Sequence, residues 1–196
     1  MKRLLTPPLA PLLAAMAMTS LAPSAALAAW EIDPTHTHVS FQVGHLGLTH
    51  TPGIFRKVEG RVNYDDKAVE ASSVAITIDA ASIDTVHGPR DTDLRSAIWL
   101  DVEKNPKISF TSTSVRRVDD RNYVISGNLT IRGKTMPVDF STVLTNRAIN
   151  PFIKVPMVGF VGNTKIKRTD FGMTQYPGLI ADEVELKIAL ELIQKP

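Results

Sequence analysis

One pattern constrains this chain more than any other: apolar and polar side chains alternate with a period of two along most of its length. In "EVELKIALEL", Val184, Leu186, Ile188, Leu190 and Leu192 share one phase, and Glu183, Glu185, Lys187 and Glu191 the other. Successive side chains of a strand point to opposite faces, so each such stretch is a strand with one apolar face. The same reading applies to "VSFQV" (Val39, Phe41, Val43), "IFRKVEGRVNY" (Ile54, Val58, Val62, Tyr64), "SVAITID" (Val74, Ile76, Ile78) and "KISFTS" (Ile108, Phe110). It continues through "YVISGNLTI" (Tyr123, Ile125, Leu129, Ile131), "TMPVDFSTVL" (Met136, Val138, Phe140, Leu144) and "VGFVGNTKI" (Val158, Phe160, Ile166).

That makes about eight strands. One-sided alternation marks antiparallel sheet, since parallel sheet is buried on both faces. Turn residues separate the strands at "YDDK" (64–67), "DDRN" (119–122) and "RGK" (132–134), the last a hairpin. Periodicity alone fits a sandwich and a closed barrel equally. One stretch departs from the pattern. In "GPRDTDLRSAIWL", Leu94 and Ile98 lie four apart, as do Asp91 and Arg95, which predicts a short helix with an intrahelical charge pair between the third and fourth strands. Its expected role is a lid or plug at one end of the sheet. A second irregular stretch, "NRAINPFIKVP", reads as a lip at the sheet's end or a packed crossover.

The N-terminus has a different grammar. Lys2 and Arg3 precede an apolar run around "LLAAMAM", and Ala26-x-Ala28 offers a small-x-small cleavage site. This predicts a secretory signal peptide over 1–28 and a domain over 29–196. The run is shorter than the ~20 residues a membrane span needs. Lys2 and Arg3 account for the chain's formal surplus of +2, so the exported domain is formally neutral and a nucleic-acid partner is not expected. With 43% hydrophobic residues the chain can build one sizeable core. It has no cysteine, hence no disulfide and no thiol nucleophile. The compartment expected from these features is the bacterial periplasm.

Three of the five histidines crowd into "IDPTHTHVSFQVGHLG". Strand parity divides them: His45 shares the inward phase of Val39, Phe41 and Val43, and the His36-x-His38 pair has the opposite phase. Metal ligands must converge on one point, so the division argues against a metal site. His45 stands where a polar group would mark the mouth of an apolar interior, and a core histidine bonded to backbone fits equally well. Arg90, Arg95 and Arg168 are candidates for an anionic head group. No G-x-S-x-G, paired carboxylates or phosphate loop is present, so no catalytic residue is assigned.

Taken in order, "IDPTHTHVSFQVGHLG" with "GIFRKVEG", "IDTVHGPRDTDLRS", "PKISFTSTSV", "GNLTIRGKTMPV" and "KIKRTDFG" resemble the YceI-like family of periplasmic polyisoprenoid-binding proteins, over roughly residues 30–193. The matched positions are His36, His45, Gly53, Phe55, Gly60, Thr85, Arg90, Asp91, Leu94, Arg95, Ser96, Gly127, Leu129, Thr130, Pro137, Asp170, Phe171 and Gly172. After "LRS" the chain departs from the family pattern: Ile98 and Trp99 stand where an acidic residue and phenylalanine are usual. The resemblance implies an all-β, antiparallel, eight-stranded lipocalin-like barrel holding a long isoprenoid or similar amphiphile, a polyprenyl lipid or isoprenoid quinone, with no cofactor besides that lipid. Joined to the phases above, it predicts a ligand wall of Phe41, Val43, His45, Phe55, Val58, Ile76, Arg90, Leu94, Arg95, Trp99, Phe110, Ile125, Phe140, Phe160, Leu186 and Ile188, with entry past the short helix or the 146–156 loop. Transient membrane contact and a homodimer are the other partner expectations. The competing reading is a metal-dependent or lipid-modifying enzyme built on His36, His38 and His45.

Overall fold

The structure is a computed structural model that describes residues 30–195, so the expected signal peptide over 1–28 lies outside the described residues. Eleven strands form one antiparallel sheet: β1 (Trp30–Ile32), β2 (His38–His45), β3 (Thr49–Phe55), β4 (Val58–Asn63), β5 (Ser73–Asp79), β6 (Ile83–Asp84), β7 (Lys107–Arg117), β8 (Asn122–Ile131), β9 (Lys134–Ile149), β10 (Pro156–Lys167) and β11 (Ile180–Gln194). Their order is β4-β5-β7-β8-β9-β10-β11-β2-β3-β6, with β1 added to the end of β11. The chain itself completes the circuit. From β3, which pairs with β2, it runs through Arg56 and Lys57 into β4, which pairs with β5. The sheet therefore rolls into a barrel.

The eight expected strands and the eleven observed ones differ in two ways. β3–β4 and β5–β6 are each one long strand, broken where Arg56–Lys57 face a 3₁₀ turn at Ala80–Ser82; Asp79 N–H to Lys57 O and Arg56 N–H to Ser82 O hold the break together. β1 is an addition. The break resets the side-chain phase. Phe55 is buried and Ile54 only half-buried, so the expected row from Ile54 to Val58 does not form. A register shift between Ser112 and Ser114 does the same in β7: Ile108 and Phe110 face inward, and past the bulge so does Val115.

The expected helix is α1 (Gly88–Arg95), between β6 and β7. It stops five residues before Leu100. The His87 ring Nδ1 accepts from Arg90 N–H at its start, and Ser96 ends it in extended backbone. The Asp91–Arg95 pair is a correction. The Asp91 carboxylate turns to Thr85, accepting from its N–H at 2.9 Å and its hydroxyl at 2.6 Å. Arg95 instead donates to the carbonyls of Ala81 and Ile83, both at 2.8 Å. Both side chains thus tie the helix to β6 instead of to each other. The RGK hairpin forms as expected, with Arg132 and Gly133 both left-handed (φ 51° and 70°), as a tight β-turn between twisted strands requires.

Two buried clusters fill the barrel's ends. Near the end where β2 finishes, Ile83, Trp99, Leu100, Ile108, Ile131, Ile166, Phe171 and Met173 pack together. At the other end, where β1 pairs with the last residues of β11, the cluster is Val62, Tyr64, Val69, Val115, Tyr123, Leu144, Val158, Leu190 and Leu192.

Candidate functional site

Between the two clusters the strands enclose a cavity of about 490 Å³. Its wall is the inward phase of the barrel. Of the sixteen side chains expected there, all but Val58 and Arg95 line it. Val58, just past the β3–β4 break, packs against the core cluster without reaching the cavity. Arg95 is spent on the carbonyls that anchor α1. The parity argument for the histidines holds: Val39, Phe41, Val43 and His45 all line the cavity, whereas His36 and His38 are exposed and do not.

The two ends of the cavity differ. The floor is aromatic: Trp30 meets Tyr64 edge-on at 5.6 Å between centroids, Tyr64 meets Phe160 at 5.3 Å, and Phe160 meets Tyr123 at 6.5 Å. Burial pushes the Tyr64 phenol up, and Arg147, which donates to its hydroxyl at 2.8 Å, opposes that rise. The other end is the mouth, because four of the five exposed lining residues, His45, Arg90, Asp93 and Tyr176, gather there; the fifth, Lys187, lies midway along β11, paired with Asn163 and Ser40. The 146–156 stretch is not at the mouth. It forms the β9–β10 hairpin tip at the floor end, with the Asn150 side chain accepting from the N–H groups of Phe152 and Ile153. Entry past that loop therefore loses its geometric basis.

Side chains that sequence reasoning had not assigned to the wall frame the mouth. Arg168 is buried and lines the cavity, with its guanidinium donating to the carbonyls of Met173, Ile180 (3.1 Å) and Ala181 (3.0 Å). That leaves it a strut, and makes it a poor head-group ligand. It also lies 5.7 Å from the centroid of Trp99. Trp99 is buried, stacks on Tyr176 at 6.1 Å and donates from Nε1 to Asp93 at 2.9 Å. Met173 and Tyr176 sit in a loop with no periodicity, so no alternation could have flagged them; Tyr64 and Tyr123 were legible as inward positions. Arg90 donates to the Thr85 hydroxyl at 2.7 Å and carbonyl at 2.8 Å, and it stands on the exposed part of the wall. Glycines make room for rings. A Cβ on Gly53 would lie 2.3 Å from the Phe41 ring, so Phe41 can lie flat over its cross-strand partner only because that partner is glycine.

On the outer face, Asp33, His36 and Glu191 bring three potential metal-ligand atoms within 4.8 Å. The buried Asp33 carboxylate is already satisfied, by Thr35 N–H (2.8 Å), the Thr35 hydroxyl (2.7 Å) and His36 Nδ1 (2.7 Å). Burial works against its ionisation, but the bonds from His36 and Thr35 outweigh that and lower its pKa. The hydrogen bond to Asp33, with the charges of Asp33 and Glu191, raises that of His36. This is an ion-paired turn, and His45 is not part of it.

A family model described as the YceI-like domain matches residues 30–192. The chain belongs to the YceI-like family. Protein YceI of Salmonella arizonae is 39% identical over 174 residues, covering 88% of this chain and 90% of that protein. The crystal structure of Burkholderia cenocepacia BcnA, at 25% identity, superposes with a TM-score of 0.75 over 82% of this chain and 99% of its own. A polyisoprenoid-binding domain from Saccharophagus degradans, at 13% identity, shares the fold with a TM-score of 0.67 over 85% of this chain and 99% of its own. The antiparallel lipocalin-like barrel expected from the motifs is thus shared with both of these solved structures.

Proposed function

We propose that this protein binds and carries a long-chain isoprenoid, or a similar amphiphile, in the bacterial periplasm after a signal peptide is removed near Ala28. One observation carries the reading: a cavity of about 490 Å³ walled by apolar side chains from nearly every strand, with His45, Arg90 and Asp93 at its mouth. A tail in the barrel and a head group at the mouth match that polarity. Family membership and a shared fold with a polyisoprenoid-binding domain support it. The energetics suit carriage. Each carbon taken from water into an apolar site is worth ~0.8 kcal/mol, so an isoprene unit is worth about 4 kcal/mol and a free tail cannot cross an aqueous compartment. Transfer from bilayer to cavity is nearly neutral, which permits release as well as uptake.

The reading includes no catalytic step. The enzyme alternative needs His36, His38 and His45 on one centre, whereas His45 stands in the mouth and His36 on the outer face. The test is mass spectrometry of lipid extracted from protein purified from its native host. The expected result is a near-stoichiometric species with an isoprenoid or comparably long apolar tail. Protein free of lipid, but carrying stoichiometric zinc or iron by elemental analysis, overturns the proposal.

A further inference from the structure

Large apolar side chains stand in water around the mouth: Leu46 is 49% exposed, Leu48 77%, Val86 94%, Tyr176 48% and Leu179 49%. They come from three segments that meet at one rim. Leu46 N–H donates to Leu179 O at 2.8 Å, and Ile180 pairs with His45, which joins the β2–β3 turn to the loop before β11. Ile54 pairs with Asp84, so the chain continues along β3 through Thr85 to Val86. His45, Thr51, Thr85, Arg90 and Tyr176 of these segments all line the cavity.

The backbone supplies a second observation. Leu46, Val86 and Tyr176 have φ of 53°, 60° and 54°. Bulky residues, and β-branched valine above all, disfavour that region. Among the described residues, the other non-glycine positions with positive φ, Asp101, Arg132 and Lys154, are charged. At Val86 the strain holds an apolar side chain out in solvent, which folding does not reward. Strain kept where folding gains nothing points to a use of that side chain. Charge supplies a third observation. Residues 44–53, 85–90 and 173–181 contain no aspartate or glutamate and carry the cation Arg90, beside the imidazoles of His45, His50 and His87. Of the neighbouring acids, Asp84 is paired with Arg56, Asp91 is turned inward to Thr85, Asp93 accepts from Trp99 and Asp182 accepts from Thr169.

We infer that this rim docks the barrel mouth-down on a phospholipid bilayer, with Leu46, Leu48, Val86 and Leu179 entering the interface and Arg90 meeting lipid phosphates. The inference rests on the carriage reading for its purpose, since a tail could then pass from bilayer to cavity without crossing water. Apolarity selects a membrane over a protein partner: the exposed apolar side chains continue into an apolar cavity that opens among them, with Arg90 beside them, and apolar side chains flanked by a cation are the pattern of interfacial anchors.

The test is co-sedimentation of the full exported chain with extruded phosphatidylethanolamine–phosphatidylglycerol vesicles. The Leu48→Asp/Val86→Asp variant should bind at least about tenfold more weakly, since each apolar side chain moved into hydrocarbon is worth more than a factor of ten. Phe152→Asp, at the equally apolar but distant β9–β10 tip, should bind as wild type. Neither Leu48 nor Val86 lines the cavity, so polyprenol uptake from detergent micelles should survive in the double variant while uptake from vesicles slows. Wild-type vesicle binding by the double variant, or loss of binding in Phe152→Asp alone, overturns the inference. A wild-type protein that sediments through this rim yet takes up no polyprenol from micelles supports docking and sinks carriage, so the two failures are distinguishable.

Discussion

Replacing Ile188 with tryptophan should shorten the tail that the barrel accepts by about one isoprene unit. Ile188 pairs with Val39 and Gly162 and packs against both core clusters, which puts it at the waist between mouth and floor. An apolar cavity of ~150 Å³ takes benzene, so about six carbons; on that scale a cavity three times larger holds ~20 carbons, or roughly four isoprene units. Tryptophan has about six more non-hydrogen side-chain atoms than isoleucine, one benzene's worth, and so takes up roughly a third of the space. The tail loses about six buried carbons, ~5 kcal/mol of burial from water at ~0.8 kcal/mol each. The assay is competition of a polyprenol length series against a fluorescent apolar probe. In the wild type, each added unit should strengthen binding up to about the fourth, where the curve flattens because further carbons protrude from the mouth. In Ile188→Trp the curve should flatten one unit sooner. Overpacking a filled core costs about 1–3 kcal/mol, but here the ring has a cavity to enter, so the melting temperature should hold. A variant that melts like the wild type and keeps the wild-type plateau would refute the reasoning, because the tail would then lie somewhere other than the barrel.

Two further predictions concern the frame of the site. Arg168→Met leaves the carbonyls of Met173, Ile180 and Ala181 without their donor and removes the cation beside Trp99. Each carbonyl left without its buried donor costs about 1 kcal/mol or more, so the three together lower the melting temperature of a domain of this size by roughly 6–12 °C; a calorimetric shift under about 2 °C contradicts the strut role. The Asp33–His36 pair sets a pH dependence. Asp33 is lowered in the fold, so its contribution is present above its unfolded value and is lost as pH falls through the folded one. His36 is raised, so its contribution is full below its unfolded value and is lost as pH rises through the folded one. The pair therefore contributes most between about pH 4 and 6.5. His36→Gln should cost stability in that window and progressively less as pH rises through the raised folded value of His36; a melting-temperature difference that does not vary with pH would exclude the pair as the cause.

How much of this was legible in the sequence follows from what alternation measures. A period of two reports which way a side chain points along an unbroken strand, and β8, β9 and β11 face inward as their phases require because no bulge interrupts their apolar rows at the wall. Where the ladder slips, the count fails. The two-residue break at Arg56–Lys57 separates the phases on its two sides, so Phe55 lines the wall as expected, Ile54 of the expected row does not, and Val58 is off it. The bulge at Ser112–Ser114 brought Val115 in. Helical spacing likewise placed Asp91 and Arg95 on one turn, but hydrogen-bond demand decided between partners. Thr85 offers two donors to a buried carboxylate, and the carbonyls of Ala81 and Ile83 would otherwise lack Arg95 as a donor. The mouth loop with Met173 and Tyr176 has no period at all, and its placement depends on Arg168 reaching across to Ile180 and Ala181, which is knowable only once the barrel has closed.

The two ends of the barrel differ in how they are held, and that difference decides where exchange can occur. The floor is made by side chains of strands joined by continuous ladders, β9 to β10 and β10 to β11, with Leu192 fully buried and Tyr64 fixed by Arg147. Opening it means breaking ladder bonds and exposing the buried floor cluster, which approaches global unfolding. The mouth is covered instead by α1, the 96–105 turns and the 173–179 loop. These are held by a few side-chain bonds: Arg95 to Ala81 and Ile83, Arg132 to Ala97 and Gly172, Trp99 to Asp93, and Tyr176 stacked on Trp99. Tyr176 is half exposed and bonded to the barrel through its neighbours, so swinging its ring off Trp99 disturbs no ladder. Local opening draws on such low-stability segments. The route of least cost into the cavity therefore passes between Tyr176, Arg90 and His45, where the wall is already exposed.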